Sequence, residues 1–408
     1  MAATQLHLAV ALDGTGWHPA SWREPAARPD ELFSPAYWTD LVRTAERGLL
    51  DFVAFEDTFG IQSAPLGRDD AARTDQVQGR GDALLTASFV APLTSRIGLI
   101  PAITVTHTEP FHIAKATATL DHTSLGRAGW QPRVSVRPAD AALVGRRTIP
   151  GITRADLAGE RLPPAFADLF AEAGDVIEVV RRLWDSWEDG AEIRDVATRR
   201  FVDRERVHRV DFEGRFFSVR GPSITPRSPQ GQPVVAVLAH RVEPWELAAA
   251  GADLVYLTPG GPGSLDAEGV LANLRRAVET VGGRTEPLRV FADLVVVLDS
   301  PDEPASARLR RLDEAAGEPL VSDAAVFAGS VAELADLLTD WQALGYHGVR
   351  LRPAVLPDDL DHIAADLVPE LQRRGLFRTA YPPADGTGLR GLLGLPVDVP
   401  NRYATAPA

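Results

Sequence analysis

The chain contains no cysteine. Disulfides, thiolate nucleophiles and cysteine-based metal sites are therefore excluded. No stretch approaches the run of about 18 apolar residues that a membrane span needs. The opening MAATQLHLAVALDG lacks the basic n-region and long apolar core of a secretory signal, so a cytoplasmic enzyme is the expectation. Phosphate loops of the Walker type, a G-x-G-x-x-G after the first strand and H-E-x-x-H are all missing. The nine histidines show no zinc-ligand spacing. A net charge of −14 argues against a nucleic-acid backbone as partner and mainly serves solubility.

What remains is a globular composition, 45% apolar and 24% charged. The length of 408 residues would permit two or three domains, yet α/β barrels with insertions can exceed about 400 residues as one unit. Short apolar runs recur at Leu6–Leu12, Phe52–Phe55, Ile97–Thr106, Pro233–Leu238, Asp253–Leu257, Leu288–Leu298 and Gly348–Leu351. Near-continuous apolarity is what strands buried on both faces of a parallel sheet require. An eighth run, Gly129–Val136, is weaker because Pro132 removes a ladder donor. Helical patterns fill the gaps at Pro35–Gly48, Asp82–Leu93, Glu109–His122, Phe166–Glu188, Pro244–Ala250, Leu265–Val281, Val331–Leu344 and Leu360–Arg374. Strand–helix alternation of this length predicts a (β/α)8 barrel. The polar segment Asp189–Gln232, with the hairpin-like HRVDFEGRFFSV, reads as an insertion before the fifth strand. Residues 1–380 form one unit in this reading. The Pro- and Gly-rich tail 381–408 is expected to wrap the surface or lie loose.

Several motifs carry a resemblance. The loop after the first strand reads GTGWHPASWR (Gly14–Arg23). The third strand and next helix read THTEPFHIAKATATLDHTSLGRAGW (Thr106–Trp130). Further stretches are VIEVVRRLWDSWEDG (Val176–Gly190), VHRVDFEGRFFSVRGPSITPRSPQGQPV (Val207–Val234) and LVPELQRRGLFRTAY (Leu367–Tyr381). In these the chain resembles the bacterial-luciferase-like flavin monooxygenases, in particular the nitrilotriacetate, pristinamycin and dibenzothiophene-sulfone group. The resemblance implies a barrel, commonly a homodimer, that takes reduced FMN from a separate flavin reductase and uses O2 to oxygenate a small organic substrate.

On that reading Asp57, Thr104 and Thr106 meet the flavin ring edge, Gln131 and Ser135 line it, and Arg241 meets the phosphate. His18, Trp22, Arg23 and His107 shape the substrate side, the two histidines being the catalytic candidates. Trp17, Trp22, Phe55, Phe59 and Trp130 are candidate walls for a flat ring. Each residue also has a plainer role. Asp57 can cap a turn, Thr104 and Thr106 are ordinary strand residues, and Arg23 can be a surface ion pair.

The departures from the resemblance fall together. Where the family has Q-A-G-A-S and then a glycine, this chain has VLAHRVEP (Val237–Pro244). Arg241 replaces the serine, Pro244 removes an N–H, and Glu243 adds a negative charge. Phe166 and Phe170 stand where the family carries a His and a Tyr. Each charge-assisted hydrogen bond lost costs roughly 1.5–3 kcal/mol. Two alternatives therefore stay open: a flavin-free paralogue partnering an active relative, and a deazaflavin-dependent oxidoreductase that needs no O2.

Overall fold

The computed structural model describes residues 5–60, 73–153, 156, 159–261, 263–383 and 388–404. Eight parallel strands close into a ring. They are β1 (His7–Leu12), β2 (Phe52–Phe55), β3 (Gly98–Thr104), β4 (Gly129–Arg133), β9 (Val234–Ala239), β10 (Leu254–Leu257), β11 (Arg289–Leu298) and β13 (Gly348–Pro353). The ring closes through β1 against β13 and β10 against β11. The weak fourth run is a genuine strand: Gly129–Arg133 bridges β3 and β9 despite Pro132.

Between β4 and β9 lie two antiparallel ribbons, β5 (Glu192–Asp195) with β6 (Arg200–Val202), and β7 (Val210–Glu213) with β8 (Ser218–Gly221). A ninth parallel strand, β12 (Ala325–Gly329), was not anticipated. It pairs with Leu294–Leu298 of the long β11, whose lower half pairs with β10.

The helices among the described residues are α1 (Pro35–Arg47), α2 (Ala83–Val90), α3 (Pro110–Thr123), α4 (Pro138–Val144), α5 (Pro164–Asp185), α6 (Val242–Gly251), α7 (Ala267–Val281), α8 (Ala305–Ala316), α9 (Val331–Leu344), α10 (Asp358–His362), α11 (Val368–Arg373) and α12 (Gly388–Leu392). Their starts follow from local chemistry. Ser34 accepts from Ala36 N–H ahead of Pro35 at the first helical position. Ser330 and Glu333 form a reciprocal capping box on α9. None of the described helices is long and apolar enough to cross a membrane.

Two apolar layers result. The larger lies between strands and helices, with Val10, Val53, Leu99 and Trp130 against Leu41, Val90, Ile113 and Val180. The smaller fills the lower lumen with Ala9, Phe52, Ile100, Val234, Leu254 and Phe291. The tail completes this second layer and is not loose there: Leu389, Leu393 and Leu395 pack under it as a plug.

At the rim, the loop after β1 lies tight against the end of β13. Gly16 has φ +127°, and a Cβ there would sit 2.3 Å from the Ala354 carbonyl oxygen.

One buried histidine gives the fold a pH signature. Val290 N–H donates to His347 Nδ1 at 3.1 Å, which requires that nitrogen unprotonated. Burial, helped by nearby Arg289, lowers the His347 pKa from 6.5 to about 4. The folded form is therefore neutral where the unfolded chain begins to take a proton. The stabilisation is complete above pH 6.5 and is lost as pH falls from there through about 4. The urea midpoint should drop across that window, and His347→Gln should flatten part of the slope. Identical slopes in both proteins would contradict this.

Candidate active site

Side chains on barrel strands alternate between lumen and helix layer, and chemistry in such barrels sits at the C-terminal strand ends. The parity of the lower lumen residues fixes who points inward above them. Following Phe52 and Ala54 comes Glu56. Following Leu254 and Tyr256 comes Thr258. Phe291 is followed by Asp293, and Gly348 by Arg350 and Arg352. The apolar floor thus gives way to a charged storey.

Arg350 is fully buried. Its Nε and Nη2 donate to Asp293 at 2.7 and 2.5 Å, and its Nη1 donates to Glu56 Oε1 at 3.1 Å and Gln131 Oε1 at 3.0 Å. Its guanidinium lies 3.9 Å from the Tyr256 ring centroid. Only a position on the barrel axis reaches five strand ends at once. Arg352 also donates to Asp293, and to Asp323 Oδ1 at 2.5 Å, while stacking on Trp17 at 4.5 Å. Arg133 donates to the second oxygen of Glu56 at 3.0 Å.

Three carboxylates and three guanidiniums therefore form one connected chain. Burial alone would expel these charges, and pairing is what makes them tolerable. Burial would lower the Arg350 and Arg352 pKa values, but Asp293 overrides it and holds both guanidiniums charged. Burial would raise the Asp323 carboxyl, yet Arg352 draws it well below the usual carboxylate range.

Above this storey the rim is polar. Arg80 reaches both oxygens of Asp13, at 2.7 and 2.6 Å. His240, immediately after β9, keeps solvent-exposed surface although protein surrounds it on most sides. Burial lowers its pKa, so its ring is neutral at pH 7. The hydroxyls of Tyr256 and Thr258 are buried without a partner.

The residues singled out from sequence are dispersed around this centre. Gln131 lies in the lumen on Arg350, and Thr104 ends β3 buried with the inward parity of Ile100 and Ala102. Asp57 accepts from Ala83 N–H at 3.1 Å, the first N–H of α2, whose N-cap is Asp82; burial raises the Asp57 pKa. Thr106 Oγ1 accepts from Ser135 N–H at 2.9 Å, and the Ser135 hydroxyl donates to Asp140 at 2.7 Å.

Arg241 donates to the Gly159 carbonyl at 2.6 Å. His18 is buried in the loop after β1. Its Nδ1 accepts from Ala20 N–H at 3.1 Å and its Nε2 faces Asp313 at 3.1 Å. Trp22 donates to the Asp75 carbonyl at 3.0 Å, and Arg23 donates to the carbonyls of Asp75 and Ala315. These two residues tie the first loop to residue 75 and to α8. Two expected wall residues face elsewhere. Phe55 and Trp130 carry the opposite parity to Glu56 and Gln131 and pack into the helix layer.

His107 stands apart from the lumen. It borders a side cavity of about 180 Å³ with Thr106, Arg147, Glu172, Phe216 and Phe217. Both ring nitrogens are buried without partners, and Phe59 meets the ring edge at 5.8 Å. Burial and then Arg147 lower its pKa.

Sequence reading missed the charged storey itself, although a signal was present. GVRLRP and FADLVVVL place Arg350, Arg352 and Asp293 inside apolar strands. A charge there must find a partner across the lumen.

The luciferase-like monooxygenase family model matches residues 15–349. The chain belongs to this family. It is 29% identical to the N-acetyl-S-(2-succino)cysteine monooxygenase of Bacillus subtilis (strain 168), covering 98% of both chains. It is also 29% identical to nitrilotriacetate monooxygenase component A of Aminobacter aminovorans, covering 97% of each. Among solved structures, a long-chain alkane monooxygenase superposes with TM-score 0.81 at 23% identity, over 96% of this chain and 95% of that one. The match supports the closed barrel as the common architecture.

Proposed function

We propose that this chain is the oxygenating component of a two-component system, using reduced flavin and O2 to oxygenate a small organic substrate. What carries the reading is the family match across residues 15–349 on a closed barrel. FMN delivered by a separate reductase, a homodimeric state and a cytoplasmic setting belong to the same proposal.

The residues at the mouth suit one end of a flavin. Buried polar groups are nearly always hydrogen-bonded, so the unpartnered hydroxyl of Thr258 marks a place for a bound group's polar edge. Trp17 and Leu238, both half-buried, offer apolar surface in the same lumen. Bound reduced flavin would supply the electrons that activate O2. The protein's share is orientation and exclusion of water. Arg350 and Arg352, locked by Asp293, give the floor a fixed electrostatic pattern that needs no rearrangement when a ligand arrives.

Binding of reduced FMN by anaerobic titration tests the reading directly. Saturable binding is expected, and its absence at high micromolar flavin would reject the proposal. Thr258→Val provides a local check. The hydroxyl has no protein partner to lose, so stability should stay within about 0.5 kcal/mol. Flavin affinity should fall about 2- to 10-fold, one neutral hydrogen bond's worth. Unchanged affinity would remove Thr258 from the site.

A further inference from the structure

The other end of the mouth does not suit a flavin's phosphate. Helix N-termini attract anions because their first N–H groups are unpaired and the dipole is positive there. At the start of α6 this capacity is reduced to the N–H groups of Val242 and Glu243. Pro244 has no N–H to offer, and Trp245 N–H is bound to the Arg241 carbonyl at 3.0 Å.

Glu243, in the first turn, is buried. Its Oε1 accepts from Leu162 N–H at 2.8 Å, and its Oε2 is buried without a partner. The Arg241 guanidinium donates to Gly159. The strap at 159–162 is thus fastened over the helix start from both sides. Beyond it Phe166 packs among Ala141, Ile149, Leu162 and Leu169, with no donor to give. The helix dipole is answered by the chain's own carboxylate, and a phosphate arriving there would meet a buried negative charge.

We infer that this barrel holds its flavin by the isoalloxazine and ribityl portions and leaves the 5′-phosphate ungripped, with Glu243 as the residue that sets this preference. The inference rests on the flavin reading above. FMN and riboflavin should then bind with dissociation constants within about threefold of each other, and FMN binding should be nearly independent of ionic strength.

The experiment is anaerobic calorimetric titration of the full chain with reduced FMN and with reduced riboflavin, at low and high salt, repeated on Glu243→Gln. The Gln side chain can still accept from Leu162 N–H, so riboflavin affinity should hold while FMN affinity rises several-fold. FMN binding to the unaltered chain at least tenfold tighter than riboflavin would overturn the inference and leave the flavin reading standing. Binding of neither flavin would overturn both. Because the decisive comparison uses the unaltered chain, it holds even if Glu243→Gln fails to fold.

Discussion

Replacing Asp293 with Asn should destabilise the protein by about 3–5 kcal/mol, the usual cost of breaking a buried ion pair from one side. Asp293 is fully buried and is the one carboxylate that both Arg350 and Arg352 share. An amide of the same shape keeps one acceptor oxygen and removes the charge. Two guanidiniums then lean on Glu56 and Asp323 alone, and the buried cluster acquires a net positive charge. Urea unfolding of D293N would show the loss. Adding Arg350→Met should recover part of it, because deleting the uncompensated charge relieves the penalty. An equal midpoint for D293N and the parent would mean that the lumen network contributes no stability. The same substitution also bears on function. If these arginines form the fixed floor of the mouth, reduced-flavin affinity should fall in D293N and return incompletely with Arg350→Met.

The barrel was legible because strand burial on both faces leaves a mark that composition preserves. The eight runs read from apolarity are the eight strands of the ring. What escaped reading was β12 and α8, together with the short α4, α12 and the ribbon β5–β6. Ala325–Gly329 is only partly buried along its length, so its apolar signal is short and weak. The hairpin in HRVDFEGRFFSV was readable from alternation, and Val210 and Phe212 are buried while Asp211 and Glu213 are exposed. The site was harder. Position in sequence tells that a residue follows a strand, but not the parity with which it leaves. Asp57 and Glu56 are neighbours, yet Glu56 enters the lumen and Asp57 turns to the first N–H of α2. Thr104 and Gln131 keep inward parity, and beyond the strand ends Ser135 and Thr106 meet each other.

The rewritten VLAHRVEP run needed coordinates for a different reason. Sequence offered Arg241 as a phosphate ligand and Glu243 as an obstacle, with nothing to rank them. The contacts to Gly159 and Leu162 are what the inference above draws on. They depend on a strap about 80 residues away in sequence, which no local pattern encodes.

Deleting the chain from Gly388 onward should cost about 5 kcal/mol or more, although the sequence suggests a tail that wraps the surface or lies loose. Leu389, Leu393 and Leu395 are 1%, 0% and 5% exposed and close the lower lumen against Phe52, Leu254 and Phe291. Each buried leucine contributes roughly 1.5–3 kcal/mol, an upper figure because unfolded chains are themselves partly compact. Polar contacts add to this. Leu389 N–H donates to the Gly126 carbonyl at 2.8 Å, and Arg390 donates to Asp253 at 3.2 Å and to the Gln232 carbonyl at 3.1 Å. Without Arg390, the buried Asp253 depends on Arg181 and Val235 N–H. The truncated protein should unfold at markedly lower urea and bind a hydrophobic dye such as ANS at its opened floor. Leu393→Asp should reproduce much of the loss within the full-length chain, which separates the plug from any general effect of shortening. A truncated chain with the parent's urea midpoint and no dye binding would show that the barrel closes its own floor and that the leucines merely shelter there.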